Sequence, residues 1–527
     1  MKKYLFMLTF LFALSGATIM AQKMTVTGKV TSSELNQPIQ GVQIRLQGSQ
    51  AAIVESDANG LYKIIIDQNS TKTLLFHHPD YDDREAFVDT IPLDIALTSN
   101  VRYNQYGVKV NRNPLYAEER NGILVLESPK KNYRLWFDMR VQADGNIFFG
   151  EPLNPIGNGV SIRRARFAGK VEFAENWYAE IDLDFSNSNL ELKDAYLLYH
   201  FNNGIELKAG NFKEGFSMES TTTSRYLTFI ERPNSVSAFA PSRHIGIAGN
   251  FNHKWLTGVA GIHFQDIGGL EERTISTDNN KNFGTDEGVS FTGKLVAIPY
   301  YQDRTKGLHI GVSGSYRTPK TDADLPGALR YSTRSLSSIN RKKYLDTDNI
   351  TSVHHSTLAG FELAGYFKNL RLQGEYMMSS VNRKDDLATE EFNGFYAMGS
   401  WLIFGGNYQY NVEEAEFTQV VRGKKWGDLE MALRYDYIDL NSEKGAIMGG
   451  SGEGYTVGLN YYVNNNVKFM LNYSYMNHDR YANGKGKLYT GYDSDGNLTS
   501  DGRLVVAPNG DAGDDFGFLG IRIEVDF

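Results

Sequence analysis

The sequence predicts an all-β chain: a 16-stranded antiparallel transmembrane β-barrel behind a small β-sandwich of the Ig-like or transthyretin-like kind. Three observations predict it. From Tyr133 to Phe527, polar and apolar residues alternate in segments of about ten, the pattern of strands whose two faces meet different surroundings. The connections are either very short, as at Ala174-Glu-Asn176, Asn202-Asn-Gly204 and Asn464-Asn-Asn466, or long and polar, at about 266–287, 318–355 and 479–515. The composition leans to aromatics and glycine, with 31 Tyr, 30 Phe and 52 Gly against 13 Pro and no Cys. A mean hydropathy of −0.39 is compatible with a membrane location, because only alternate residues of a barrel strand face lipid.

Residues 1–21 stand apart as a signal peptide. Met1-Lys2-Lys3 is a basic start, Tyr4 to Ala13 is apolar, and Ala17-Thr18-Ile19-Met20-Ala21 offers a cleavage site. The apolar stretch is shorter than the roughly 20 residues of a spanning helix, and no cysteine follows to carry a lipid anchor. Absence of cysteine also excludes disulfides, thiolate nucleophiles and Cys-ligated metal. The formal net charge of −8, more negative once Lys2 and Lys3 are lost, argues against nucleic acid as a partner. No H-E-x-x-H, G-x-S-x-G, P-loop or dinucleotide pattern occurs, so no catalytic residue, metal site or cofactor is expected. Asp493-Ser-Asp-Gly-Asn497 opens like a calcium loop but lacks the Gly and closing Glu that follow in one, and reads as a loop tip, as does Asp278-Asn-Asn-Lys-Asn282.

Residues 22–98 form one unit of short strands separated by turns, a sandwich pattern. Gly28-Lys-Val30, Pro38-Ile-Gln-Gly-Val42 and Ser56-Asp-Ala-Asn-Gly-Leu-Tyr62 resemble the carboxypeptidase regulatory-like family, which implies nothing peptidase-like here. His77-His78 before Pro79 reads as a turn. Residues 99–132 read as a linker with one strand near Gly122–Leu126.

Residues 133–527 form the barrel. Sixteen strand segments are counted, with 16–18 the range, and an even number returns the chain to its starting side. Trp136, Trp177, Tyr461-Tyr462 and Tyr473 near strand ends suit interfacial girdles. The last strand ends at Phe527, the carboxy-terminal form that barrel assembly machinery recognises. By parity, Arg140, Arg164, Arg166, Lys170, Lys208, Arg371, Arg434 and Arg522 face the lumen, outnumbered by carboxylates of the same parity such as Asp138, Glu180, Asp182 and Asp194.

Arg163-Arg-Ala-Arg-Phe-Ala-Gly-Lys170, Trp177-Tyr-Ala-Glu-Ile-Asp182, Leu192-Lys-Asp-Ala-Tyr-Leu197, Leu207-Lys-Ala-Gly-Asn-Phe-Lys213, Ser224-Arg-Tyr-Leu-Thr-Phe-Ile-Glu-Arg-Pro233 and Ala240-Pro-Ser-Arg-His-Ile-Gly246 resemble the phosphate-selective porin O and P family. The resemblance covers residues 133–527 and implies a homotrimeric outer-membrane channel, narrowed by an inward loop, for small anions such as phosphate. The N-terminal domain is then expected in the periplasm, where it plugs the barrel or docks a partner. The loop expected to narrow the lumen is 212–243. It brings Lys213, Arg225, Arg232 and Arg243 toward Arg164, Arg166, Lys170 and Lys208. These eight either contact anions, arginine suiting phosphate through its planar fork, or pair with carboxylates and fix the loop. The alternative function is a plugged structural or adhesive barrel whose long loops or N-terminal domain bind partners.

Overall fold

The computed structural model describes residues 23–48, 53–68, 71–111, 113–186, 190–264, 267, 288–319, 327–507 and 512–527. The signal segment and Asp278–Asn282 lie outside the described residues. The chain divides into two compact units between Leu115 and Tyr116.

In the first unit, strands Lys23–Ser32, Leu61–Asp67 and Ile95–Leu97 form one sheet. Strands Gln43–Leu46, Val54–Glu55, Thr73–His78 and Tyr81–Phe87 form a second. Alternation buries Val26, Val30, Ile44, Ile64, Leu74 and Phe76 in one shared cluster. The Asp57–Gly60 turn needs its glycine: Gly60 has φ +74°, and a Cβ there would lie 2.4 Å from the Val30 carbonyl oxygen. His77 and His78 end a strand instead of making the expected turn, and His77 Nδ1 lies 2.6 Å from Asp83.

The expected linker is more ordered than its sequence suggests. Val101–Tyr103 pairs with Lys109–Asn111, and Tyr116–Arg120 with Ile123–Glu127. Tyr116–Arg120 is exposed nearly throughout, so neither of its faces carries the apolar period that marks a strand. The second hairpin continues the barrel sheet, with Val125 opposite Trp136.

Sixteen strands close on themselves. They are β1 (Tyr133–Phe149), β2 (Gly159–Phe173), β3 (Trp177–Asp184), β4 (Glu191–His200), β5 (Ile205–Lys213) and β6 (Arg243–His253). There follow β7 (Leu256–His263), β8 (Ser290–Asp303), β9 (Lys306–Arg317), β10 (Val353–Phe367) and β11 (Leu370–Arg383). The last are β12 (Glu390–Leu402), β13 (Asp428–Ser442), β14 (Ile447–Tyr462), β15 (Val467–His478) and β16 (Phe516–Asp526). Each pairs antiparallel with its neighbour, and β1 closes the ring on β16 from Arg140↔Asp526 to Phe149↔Gly517. The backbone of Phe527 extends that seam, accepting from and donating to Met139.

The burial pattern decides between sandwich and barrel. Apolar residues of the alternation lie outside and charged ones inside: Leu433 is 57% exposed, while Arg522 on β16 is fully buried. No helix among the described residues is long and apolar enough to cross a membrane. A closed sheet with an apolar exterior leaves every backbone group paired and puts lipid where water would be unfavourable. Two aromatics expected in the girdles point inward instead. Trp136 shares the face of Asp138 and lines the lumen, and the Tyr462 hydroxyl donates to Glu430. Nearness to a strand end does not fix a side chain's face; parity does.

Candidate functional site: a charged cavity in the barrel lumen

Loops fold into the lumen. The segment between β5 and β6 carries two short helices, α1 (Met218–Thr221) and α2 (Asn234–Phe239), and crosses to the far wall. There Asn460 donates to the Thr228 carbonyl (2.7 Å), Arg434 to that of Glu231 (2.8 Å) and Lys468 to that of Arg225 (2.8 Å). The Ile230 amide donates to Asn472 Oδ1 at 2.8 Å. Phe229, Val236 and Phe239 pack with Tyr331, Tyr344 and Ile350 of the β9–β10 loop in one hydrophobic cluster inside the barrel. That loop, long and polar in sequence, is therefore partly internal.

The turn between β12 and β13, residues 403–427, also folds inward. Tyr408, Tyr410 and Phe417 pack with Val296, Ile298 and Leu402. The Tyr408 hydroxyl donates to Glu430 (2.8 Å) and lies 2.7 Å from Ser400 Oγ, and that of Tyr410 lies 2.6 Å from His309 Nδ1. Sequence reading missed this turn. Its one signal is length, 25 residues joining strands at the end where other turns are short.

What remains open is a cavity of about 770 Å³ against β1–β8, walled on its other side by the inward loop and by Glu413, Glu414 and Glu416 of the turn. All eight cations expected at the constriction line it. Four are ion-paired. Arg166 reaches Asp184 (3.1 Å) and Asp182 (3.3 Å), and Lys170 reaches Asp138 (3.0 Å). Arg243 holds Asp194 with both arms (3.0 and 2.7 Å), and Arg225 bonds Asp138 with Asp526 at 3.7 Å.

The other four, Arg164, Lys208, Lys213 and Arg232, join no ion pair among the described residues. Arg164 donates to Gln142 Oε1 at 2.6 Å. Lys213 donates to the carbonyls of Ser220 and Thr221, and Arg232 to those of Glu219 (2.8 Å) and Thr222 (2.6 Å). Together these two hold the end of α1, where carbonyls are otherwise unsatisfied. Lys208 Nζ stands 4.5 Å from the centre of the Tyr196 ring. Glu180, Asp182 and Asp194 converge to within 4.8 Å of one another; Lys170, Arg166 and Arg243 offset their charge.

Alternation also missed Arg163. The register slips between Gln142 and Ala143, leaving Arg163 as an extra residue in β2, and such a bulge re-aims a side chain. Arg163 thereby reaches Glu231 on the inward loop with both arms (2.6 and 3.2 Å). Burial pushes the Glu231 carboxyl up, but Arg163, Arg164 and Arg522 overcome it and hold Glu231 well below the usual carboxylate range. Glu231 is thus an anionic anchor for the loop.

A family model described as phosphate-selective porin O and P matches residues 137–497. Porin O of Pseudomonas aeruginosa is 24% identical over 394 residues, covering 69% of this chain and 88% of that protein. An uncharacterised protein of Caulobacter vibrioides is 23% identical over 329 residues, covering 61% of this chain. The match spans 64% of that relative's length. The structure is also similar to that of outer-membrane expressed OmpT of Vibrio cholerae. The TM-score is 0.45 at 11% identity, covering 75% of this chain and 98% of that one.

Proposed function

The chain belongs to the phosphate-selective porin O and P family and is an outer-membrane porin, and from that premise we propose that small anions, phosphate among them, diffuse passively through its lumen past the cavity beside β1–β8. The observation that carries this is the set of four cavity cations without carboxylate partners among the described residues, Arg164, Lys208, Lys213 and Arg232. The paired cations hold the wall together, while unpaired ones leave donors for a passing oxyanion. Glu413 and Glu414 oppose them and keep the site weak enough for release. The active unit is a homotrimer, inserted by barrel assembly machinery that reads the strand ending in Phe527. Removal of a signal peptide at residues 1–21 precedes insertion. The N-terminal unit is a carboxypeptidase regulatory-like β-sandwich in the periplasm and docks a partner there.

The test is single-channel current in a planar bilayer, with a salt-gradient reversal potential and added phosphate. Anion preference with chloride current blocked by phosphate is expected. Lys208→Ala should weaken the block about tenfold, the loss of one charge-assisted contact of roughly 1.4 kcal/mol. Cation preference without block would discard the phosphate reading and keep the porin. A second reading, a plugged structural barrel, draws on the hydrophobic cluster inside the barrel; it predicts no current steps.

A further inference from the structure

A filter for bare phosphate has no use for aromatic rings, yet three in a row line this cavity. Trp136 on β1, Tyr178 on β3 and Tyr196 on β4 share the lumen-facing parity. Their ring centres lie 6.0 and 5.8 Å apart, tilted by 45° and 40°. Phe212 continues the row at 6.2 Å and is itself nearly fully buried. All three exposed members are half-buried side chains on a polar, solvated wall, where apolar surface is unfavourable unless something covers it.

Their orientation is fixed. The Tyr178 and Tyr196 hydroxyls both donate to Glu180 Oε2, at 2.5 and 2.8 Å, so the polar ends are committed to the wall. What the two tyrosines offer the cavity is their rings. Beside Tyr196 the facing position on β5 is Gly210, where a Cβ would come within 2.6 Å of the Tyr196 backbone. Lys208 Nζ, without a carboxylate partner among the described residues, stands 4.5 Å from the centre of that same ring. An anion held by Lys208 would therefore place whatever it is attached to along the aromatic row.

Resting on the porin reading, we infer that the preferred solute is an anionic carbohydrate, a pyranose bearing a phosphate or comparable oxyanion. Its charged group meets Lys208, and the C–H face of its ring lies on Tyr196, Tyr178 and Trp136. The C–H bonds of a pyranose face carry partial positive charge and complement the negative face of an aromatic ring. Carboxylates and amides around the row accept and donate to the ring hydroxyls. The cavity of about 770 Å³ is of the size that encloses a small organic solute.

The experiment uses the full chain in a planar bilayer and compares block of chloride current by glucose 6-phosphate, inorganic phosphate and glucose. Glucose 6-phosphate should block at about tenfold lower concentration than phosphate, and glucose should block weakly. Trp136→Leu and Tyr178→Leu, which keep apolar bulk and remove the ring, should bring glucose 6-phosphate down to the level of phosphate and leave phosphate unchanged. Equal block by the two phosphates in the unaltered chain overturns the inference and leaves the porin and its anion preference standing. Absence of any current steps overturns the porin reading itself, so the two failures are distinguishable. Should the variants fail to fold, the comparison in the unaltered chain still decides.

Discussion

At the scale of single residues, a buried ion pair crosses the seam between β1 and β16. Arg522 and Asp144 are register partners, both fully buried as side chains, joined by two hydrogen bonds of 2.6 and 2.8 Å. Ser338 of the inward β9–β10 loop donates to the same Asp144 at 3.1 Å, so the pair ties seam and loop together. Charges taken out of water are stabilising only while matched. Asp144→Leu leaves Arg522 with Glu231 at 3.5 Å as its remaining carboxylate, and should destabilise the barrel by about 3 kcal/mol. The double substitution Asp144→Leu with Arg522→Met removes both charges and should lie near the unaltered chain. Urea unfolding in detergent, followed by tryptophan fluorescence, reads the two midpoints; equal losses in single and double variants would refute the argument.

At the scale of elements, the inward turn 403–427 sets a charge on the cavity that depends on pH. Glu416 lies on the turn, not on a spanning strand. Burial first, and Glu414 second, push it up to about 8, against Lys213 and Lys294, which pull it down. At pH 6 it is protonated and adds no charge; above pH 8 it ionises beside Lys213 and offsets a cation of the proposed filter. Raising the pH from 6 to 9.5 should therefore shift the reversal potential away from anion preference with a midpoint of about 8, and Glu416→Gln should flatten that titration. Stability has the matching sign. Between the ordinary glutamate range and pH 8 the native state keeps a proton that the unfolded chain has lost, so stability falls as pH rises through that window. Urea midpoints taken across it should fall in the unaltered chain and level in Glu416→Gln.

At the scale of the molecule, what the sequence made legible follows from period and length. Alternation placed sixteen strands and the lumen-facing charges, because a two-residue period survives whatever the surroundings. It failed at Arg163, where a bulge breaks the period, and at Trp136 and Tyr462, where strand-end position stood in for parity. Loops folding into the lumen were legible only where motif resemblance marked them; Tyr344 and Tyr408 are buried by tertiary contacts that leave no period. The hairpin 116–127 was half legible, its second strand read near Gly122–Leu126 and its exposed first strand missed, and it bears on where the barrel begins. Its strand Ile123–Glu127 covers the end of β1 that β16 does not reach, with Glu127 accepting from Arg134 at 3.0 Å. Removing residues 23–115 should thus leave unfolding midpoint and conductance unchanged, since that unit has its own core. Removing 23–132 uncovers an edge of β1 and should cost about 1–2 kcal/mol from lost cross-strand pairs. Larger current after the shorter deletion would instead make the N-terminal unit a plug, and equal stability of the two deletions would place the start of the barrel at Tyr133.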